Sequence, residues 1–214
     1  MRLEPQLRDR IQGHLSEFHR LDTPAVPEYR HAAVGIVLLD DAAGQACFVL
    51  TLRRASLRRH AGQYALPGGR LDPGESPAAA ALREIHEEIG LQLGPDAVLG
   101  RLDDFATRSQ HRITPLVVWA GAGAGLRISP DEVEAAYRVP LAHLFRPGNP
   151  RIGRIAESDR PLIHFSLLDS TVYAPTAAIL FQFREVALAG RPTRVAHFEQ
   201  PLFAWALTAQ DYAR

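Results

Sequence analysis

The sequence contains no lysine. Schiff-base chemistry, a lysine general base and the phosphate-binding lysine of a Walker motif are therefore excluded. All 24 basic residues are arginines, whose planar and permanently charged side chains suit bidentate binding of phosphate and carboxylate. The chain is thus equipped to bind anions but has no lysine for covalent or proton-transfer chemistry.

Cysteine is nearly absent as well, because Cys47 is the single one. One cysteine can form neither an internal disulfide nor a cysteine metal cluster, so the sequence shows no sign of an oxidising compartment and we expect a cytoplasmic protein. Cys47 lies in the apolar run CFVLTL without a basic neighbour. This environment predicts a core residue rather than a nucleophile.

Long apolar runs are missing too. No stretch approaches the roughly 20 residues that a membrane-spanning helix needs. The N-terminal segment MRLEPQLRDRIQGHLSEFHRL alternates charge with leucine, which predicts an amphipathic helix rather than a signal peptide. The 24 acidic residues balance the 24 basic ones, and this zero net charge argues against a nucleic-acid or membrane partner bound through bulk basicity.

The composition that is present describes an ordinary globular chain of 214 residues, 46% of them hydrophobic. Such a chain can bury roughly 70% of its unfolded surface and needs no metal to fold. Strand-like and helix-like segments mix without regular alternation, which favours an α+β fold, an α/β/α sandwich with a mixed β-sheet between helices. We expect an N-terminal helix and connector over 1–30, one domain over 31–190, and a C-terminal segment over 191–214 packed on that domain or on a partner.

Local patterns place elements within that domain. Two β-rich runs flank the turn DDAAGQ and predict a hairpin. The run PAAAALREIHEEI predicts a helix with Ser76 at its N-cap, Pro77 in its first turn and Gly90 past its end. A second helix is predicted to end at Gly190, and the glycine-rich run over 121–125 predicts a hairpin turn.

The first of these helices is acidic on one face. Glu84, Glu87 and Glu88 stand at i, i+3 and i+4, which brings their carboxylates within about 5–6 Å of one another on a helix. This repulsion calls for a cation, and oxygen ligands favour Mg²⁺ or Mn²⁺. Arg83 is placed to pair with Glu75 or Glu87. A solvated helix face is the alternative interpretation of such an acidic run.

Two glycines precede this helix and bear on the same metal. Gly68 and Gly69 let the backbone approach an ion closely, so the Gly69 carbonyl is a further candidate ligand. The nine histidines show no His-x-His or His-Glu-x-x-His spacing, which argues against a zinc site. The expected metal is therefore a hard ion held by oxygen.

The segment 69–91 resembles the signature of the Nudix hydrolases. That signature is glycine, five residues, glutamate, seven residues, then Arg-Glu-aliphatic-any-Glu-Glu-any-Gly-aliphatic. The chain fills the specified positions with Gly69, Glu75, Arg83, Glu84, Ile85, Glu87, Glu88, Gly90 and Leu91. The resemblance implies a Nudix fold and metal-dependent hydrolysis of a nucleoside diphosphate linked to another moiety. It implies that the three helix glutamates bind metal and that Arg83 and Glu75 orient them.

The resemblance leaves the general base open. Nudix enzymes recruit it either from the glutamates of this motif or from a later loop, where Glu132 and Glu134 are the candidates. Each of these two could equally be an ordinary surface acid. Because Nudix enzymes are frequently dimers, the resemblance also implies a homodimer.

An arginine-dense segment before the glycines narrows the range of expected substrates. It resembles the motif of coenzyme A pyrophosphatases within the Nudix family, Leu-Leu-Thr-any-Arg-Ser/Ala followed by spaced Arg, Gly and Phe-Pro-Gly-Gly. The matching residues are Leu50, Thr51, Arg53, Arg58, Gly62, Pro67, Gly68 and Gly69. Val49, Arg54 and Leu66 depart from this motif.

This second resemblance implies coenzyme A or acyl-coenzyme A as the substrate, cleaved to 3′,5′-ADP and 4′-phosphopantetheine. It implies that the substrate is bound by Arg53, Arg58, Arg59 and Gly68, since arginine binds phosphate bidentately. Two alternatives stay open. One is a Nudix hydrolase acting on ADP-ribose, a dinucleotide or another nucleotide, and the other is a non-catalytic Nudix-fold domain that senses a ligand.

Overall fold

A computed structural model describes residues 1–21, 29–54 and 63–205 of the chain. These residues form eleven strands: β1 Arg30–Asp40, β2 Ala46–Arg53, β3 Tyr64–Ala65, β4 Gly68–Arg70, β5 Val98–Arg101, β6 Phe105–Ala106, β7 His111–Gly121, β8 Val133–Pro140, β9 Arg151–Ile155, β10 Ser158–Leu167 and β11 Ser170–Tyr173. The α-helices are α1 Pro5–Glu17, α2 Pro77–Ile89 and α3 Thr176–Phe183. A π-helical turn, Arg184–Leu188, continues α3, and Gly190 follows with a φ of +67°, where the sequence predicts the helix end.

Eight strands form the central sheet. Their order is β3-β2-β1-β7-β5, with β4 beside β1, β6 beside β7 and β8 beside β2. β1 and β7 run parallel while the other pairs run antiparallel, so the sheet is mixed, as predicted. The remaining strands form a small antiparallel sheet in the order β11-β10-β9.

Helices cover both faces of the central sheet. Successive side chains of a strand point to opposite faces. Along β1, Ile36 and Leu38 pack with α1 and α3, whereas Val37 and Leu39 pack with α2. The helix, sheet and helix layers confirm the predicted α/β/α sandwich, and the two hydrophobic cores lie on either side of β1.

The first part of the chain confirms two further predictions. α1 is amphipathic and buries Leu7, Ile11 and Leu15, which stand one turn apart. Cys47 has no exposed surface in β2, and its burial raises its pKa to about 11, as expected of a core thiol. Among the helices of the described ranges, none combines the length and hydropathy of a membrane span.

The helix α2 begins and ends where the sequence predicts. Ser76 Oγ accepts a hydrogen bond from the Ala79 N–H at 3.2 Å, and Pro77 opens the helix. Gly90 adopts a left-handed φ of +72°, and its N–H donates to the His86 carbonyl at 2.9 Å. The apolar side of α2 packs on the sheet, and its acidic residues therefore lie along the margin of that contact.

The glycine run after β7 is a turn, but the predicted hairpin is wrong. Gly121 and Gly123 have positive φ, yet the next strand, β8, pairs with β2. Both edges of β7 are already occupied, by β1 on one side and by β5 and β6 on the other, so no hairpin partner fits. The chain instead passes the end of α2, where the Arg127 N–H donates to the Ile89 carbonyl at 2.9 Å.

Replacing Ser76 with alanine removes the cap of α2. We expect Ser76→Ala to lower the unfolding free energy by about 1 kcal/mol, because an N–H of the first turn loses its acceptor. Urea unfolding measures this loss. The matched control is Ser16→Ala, whose hydroxyl bonds the Gly13 carbonyl within α1 and whose loss should stay below about 0.5 kcal/mol. Equal losses in the two variants would contradict the role of the cap.

Candidate active site

Three glutamate carboxylates converge at the margin of α2. Glu84 and Glu88 lie one turn apart on α2, and Glu132 lies in the segment before β8. One carboxylate oxygen of each lies within 4.8 Å of the others. We call these three residues the carboxylate cluster. Its hard oxygen donors suit a divalent cation such as Mg²⁺ or Mn²⁺.

Backbone hydrogen bonds bring Glu132 to this cluster. The Ser129 N–H donates to the carbonyl of Glu88 at 3.0 Å, and the Arg54 N–H donates to the carbonyl of Glu132 at 3.2 Å. The segment is thus attached both to α2 and to the chain that leaves β2. Glu134, the other loop acid considered from the sequence, is exposed at the second position of β8 and is not part of the cluster.

Glu88 is the buried member of the cluster. Its side chain is 2% exposed, and its two oxygens accept hydrogen bonds from the Arg53 guanidinium at 3.3 Å and from the Gly68 N–H at 3.2 Å. Burial raises the pKa of Glu88 to about 7, against the influence of these two donors and with a further contribution from Glu84 and Glu132. A bound cation would compensate for the charge of this carboxylate.

Glu84 lies directly against the glycine pair of β4. A Cβ at Gly69 would lie 2.2 Å from Oε1 of Glu84, so a larger residue would displace the carboxylate. Gly68 meets backbone instead, because a Cβ there would lie 2.3 Å from the Ala33 carbonyl oxygen. Burial raises the pKa of Glu84, while its bond to Arg83 opposes that rise. The glycine pair therefore lets β4 approach β1 and α2 at once.

Arg83 joins the helix carboxylates to the preceding loop. It donates to both oxygens of Glu75 at 3.0 Å, to Glu84 at 2.9 Å and to Glu87 at 3.1 Å. The bond from Arg83 lowers the pKa of Glu75, which also accepts the Asp72 N–H at 2.9 Å. Arg83 therefore pairs with both acids that the sequence offers as alternative partners, Glu75 and Glu87.

Glu87 lies outside the cluster. Its side chain is 50% exposed and bonds Arg83, and it is not among the glutamates whose oxygens converge. The three glutamates of α2 therefore divide into two that converge and one that supports Arg83. Sequence spacing could not separate them, because i+3 and i+4 share one helical face.

A cavity of about 320 Å³ opens beside the glycine pair. Arg53, Gly68 and Gly69 line it, so two of the four residues predicted to bind substrate, Arg53 and Gly68, lie on its wall. Arg58 and Arg59 lie outside the described residues. The remaining wall comes mainly from β1, β3, β7 and α3, which places a ligand-sized space between the central sheet and α3.

Some of the residues that line this cavity could not be predicted from any sequence pattern. Thr107 and Ser109 follow β6, and Gln200 lies near the C-terminal end, yet all three line the cavity. They belong to no motif, and the fold alone brings them together. For Glu132 the signal was present but incomplete, because an acidic loop does not show whether Glu132 or Glu134 faces α2.

The chain resembles known proteins over the segment that contains the carboxylate cluster. A family model described as the NUDIX domain matches residues 29–163, more than half of the chain. The uncharacterised Nudix hydrolase NudL of Photorhabdus laumondii is 39% identical over 114 residues, 53% of this chain and 60% of that protein. NudL of Escherichia coli K12 is 37% identical over 121 residues, 56% of this chain and 62% of that protein. The matches thus span between 60% and 62% of the length of these curated relatives.

A solved structure resembles the fold over most of the chain. The MutT/nudix family protein from Enterococcus faecalis has a TM-score of 0.51 and 15% sequence identity, and the match covers 88% of this chain and 77% of that one. At this identity the likeness concerns the fold alone.

The raised pKa of Glu88 has a measurable effect on stability. Folding lifts this pKa from 4.5 to about 7, so the folded protein holds the proton more tightly and wild type loses stability as the pH rises from about 5 to 7. Glu88→Gln has no such charge. In metal-free buffer we expect its stability advantage over wild type to be roughly 2–3 kcal/mol larger at pH 8 than at pH 5.

Urea unfolding at the two pH values, with a chelator present, measures this difference. Glu87→Gln is the control, because its half-exposed side chain should change stability by less than about 0.5 kcal/mol at either pH. An advantage of Glu88→Gln that is the same at both pH values would contradict the raised pKa.

Proposed function

Because the chain belongs to the Nudix family, we propose that it hydrolyses the pyrophosphate bond of a nucleoside diphosphate derivative. The observation that supports this proposal most is the carboxylate cluster beside a ligand-sized cavity. Phosphoryl transfer depends on positioning and charge neutralisation more than on covalent chemistry. Glutamates that hold a divalent cation next to such a cavity supply both.

The residues around the cluster divide into ligands and supports. Glu84, Glu88 and the Gly69 carbonyl would hold Mg²⁺ or Mn²⁺, which when bound polarises phosphate oxygens and offsets their charge. The supporting ion pairs keep these ligands in place with a guanidinium that does not titrate. The residues in this supporting role are Arg83, Glu75 and Glu87.

We assign proton transfer to Glu132. Its carboxylate belongs to the cluster, and the residue is exposed, so water reaches it. Glu132 accepts a proton from the attacking water while the water oxygen forms a bond to one phosphorus. The bond between that phosphorus and the bridging oxygen breaks, and the bridging oxygen leaves with the second phosphate.

For the substrate we propose coenzyme A or acyl-coenzyme A, cleaved to 3′,5′-ADP and 4′-phosphopantetheine. Both the pyrophosphate and the 3′-phosphate are anions that arginine binds bidentately. Arg53 and Arg70 line the described cavity, and Arg58 and Arg59 follow Arg53 closely in the sequence. This density of guanidinium groups supports a substrate with more than one phosphate site.

The contact between Arg53 and Glu88 favours a second candidate. Arg53 commits one N–H and part of its charge to the buried Glu88 carboxylate at 3.3 Å, which weakens its attraction for a 3′-phosphate. ADP-ribose and dinucleotides lack that phosphate, so a Nudix pyrophosphatase acting on them is the alternative. A non-catalytic ligand-sensing domain ranks third, because sensing does not need converging carboxylates.

Glu132→Gln tests the proposed base. We expect kcat to fall roughly 10²- to 10⁴-fold with little change in KM, because an amide oxygen does not accept the proton. Steady-state kinetics at saturating Mg²⁺ measure both constants. Glu134→Gln makes the same chemical change outside the cluster and should leave kcat nearly unchanged. Equal losses in the two variants would contradict the assignment.

A substrate panel tests the proposed specificity. The pure protein is incubated with Mg²⁺ or Mn²⁺ and with coenzyme A, ADP-ribose, NADH or a diadenosine polyphosphate, and mass spectrometry identifies the products. We expect coenzyme A to be cleaved fastest and Arg58→Ala to raise its KM. Cleavage of ADP-ribose but not of coenzyme A would replace the first candidate by the second, and cleavage of none would overturn the proposed activity.

A further inference from the structure

One end of the cavity takes no part in the proposed cleavage. Four adjacent strands, in the order β4, β1, β7 and β6, connect the glycine pair to the residues that follow β6. Neighbouring strands lie about 4.8 Å apart, so Thr107 lies roughly 14 Å across the sheet from β4. A volume of about 320 Å³ is small among ligand sites of roughly 300–1,000 Å³, so the cavity accommodates one part of a substrate rather than all of it.

Gln200 reaches this end because its neighbour Glu199 is anchored in the fold. The Glu199 side chain is 1% exposed and accepts hydrogen bonds from the Arg108 guanidinium at 3.1 and 2.5 Å and from Ser158 Oγ at 2.8 Å. Burial opposes its charge, but these bonds and the Gln200 N–H lower the pKa of Glu199 to about 2. The ion pair thus attaches the C-terminal segment to the loop after β6.

The backbone of Arg108 fixes the orientation of the Gln200 amide. The Arg108 N–H donates to Gln200 Oε1 at 2.6 Å, and since only an oxygen can accept this bond, Nε2 points the other way. Gln200 is 5% exposed and lines the cavity. Within residues 1–21, 29–54 and 63–205, its Nε2 has no hydrogen-bond partner. Because Gln200 lines the cavity, a ligand group in that space can reach this donor and supply its acceptor.

The wall beside Gln200 contains polar groups that are not anionic. Thr107 and Ser109 present hydroxyls 3.1 Å apart, and no aspartate or glutamate of the described chain lines the cavity. Among the described residues that line the cavity, the two arginines are Arg53 in β2 and Arg70 in β4. Both lie at the end of the cavity near the glycine pair. His111 also lines the part of the wall near Gln200, beside Ser109. Without an arginine among its described residues, this end suits an uncharged group with hydrogen-bond acceptors better than a phosphate.

We propose that Gln200 is a specificity-determining residue that donates a hydrogen bond from Nε2 to an acceptor on the uncharged part of the substrate. Ring nitrogens of a nucleobase and amide carbonyls of a pantetheine arm are both acceptors of this class. The inference rests on the proposed function for the kind of ligand. It adds to the site a residue outside the segment 29–163 that matches the Nudix domain.

Binding of the two halves of the substrate tests this inference without turnover. Isothermal titration calorimetry in Mg²⁺ buffer measures the binding of 3′,5′-ADP and of 4′-phosphopantetheine to wild type and to Gln200→Glu. This variant keeps the acceptor for the Arg108 N–H but replaces the donor. We expect the dissociation constant to rise about tenfold for the one compound that contacts Gln200 and to stay unchanged for the other.

Two further variants complete the test. Gln92→Glu makes the same change on the exposed surface after α2 and should alter neither constant. Gln200→Leu removes the donor without adding charge and should weaken the binding of the same compound. This variant keeps the inference testable if Gln200→Glu does not fold. The inference would be overturned if the Gln200 variants weakened the binding of both compounds equally or of neither. It would also be overturned if wild type bound neither compound.

The same data separate this inference from the proposed function. If wild type cleaves no diphosphate but Gln200→Glu weakens the binding of one compound alone, the proposed hydrolysis is refuted and the role of Gln200 is retained. A chain that cleaves coenzyme A or ADP-ribose with unchanged binding in Gln200→Glu would refute the role of Gln200 alone.

Discussion

The buried carboxylate of Glu88 is the constraint on which the rest of the site depends. A charge removed from water must be met by donors or by a cation. The structure supplies Arg53 from β2 and the Gly68 N–H from β4, and these bonds connect α2 to two strands. Glu84 and Glu132 then add negative charge beside Glu88. The site is therefore more negative than its own donors can balance, which is the electrostatic condition for holding a divalent ion.

The topology of the sheet decides which further acid joins Glu88. Because both edges of β7 are paired, the chain after it must cross to β2, and it passes the C-terminal end of α2 on the way. The carbonyls of Glu88 and Ile89 accept hydrogen bonds from this segment. They fix its register so that Glu132, and not Glu134, meets the helix carboxylates. A helix end thus positions an acid that is distant in the sequence.

Short-range signals made α2 predictable, whereas long-range packing limited the prediction of the rest. Ser76 and Gly90 act within one turn of the helix ends, so the spacing of the glutamates followed from neighbouring residues. The prediction of a hairpin at 121–125 is wrong because the pairing of β7 depends on strands elsewhere in the chain. Thr107 and Gln200 share a wall that no local pattern encodes. The exposed strand β9 lacks an alternating burial pattern, and the sequence did not indicate it.

The ion pair between Arg108 and Glu199 has a consequence for how the chain can change by mutation. Through this ion pair, one wall of the cavity is positioned by a segment that shares no residue with α2 or with the loop before β8. Substitutions at sites that are distant and share no partners act nearly independently. Ligand preference at residues 199–200 and bond cleavage at α2 are therefore separable properties, and selection can alter the first while the second stays intact.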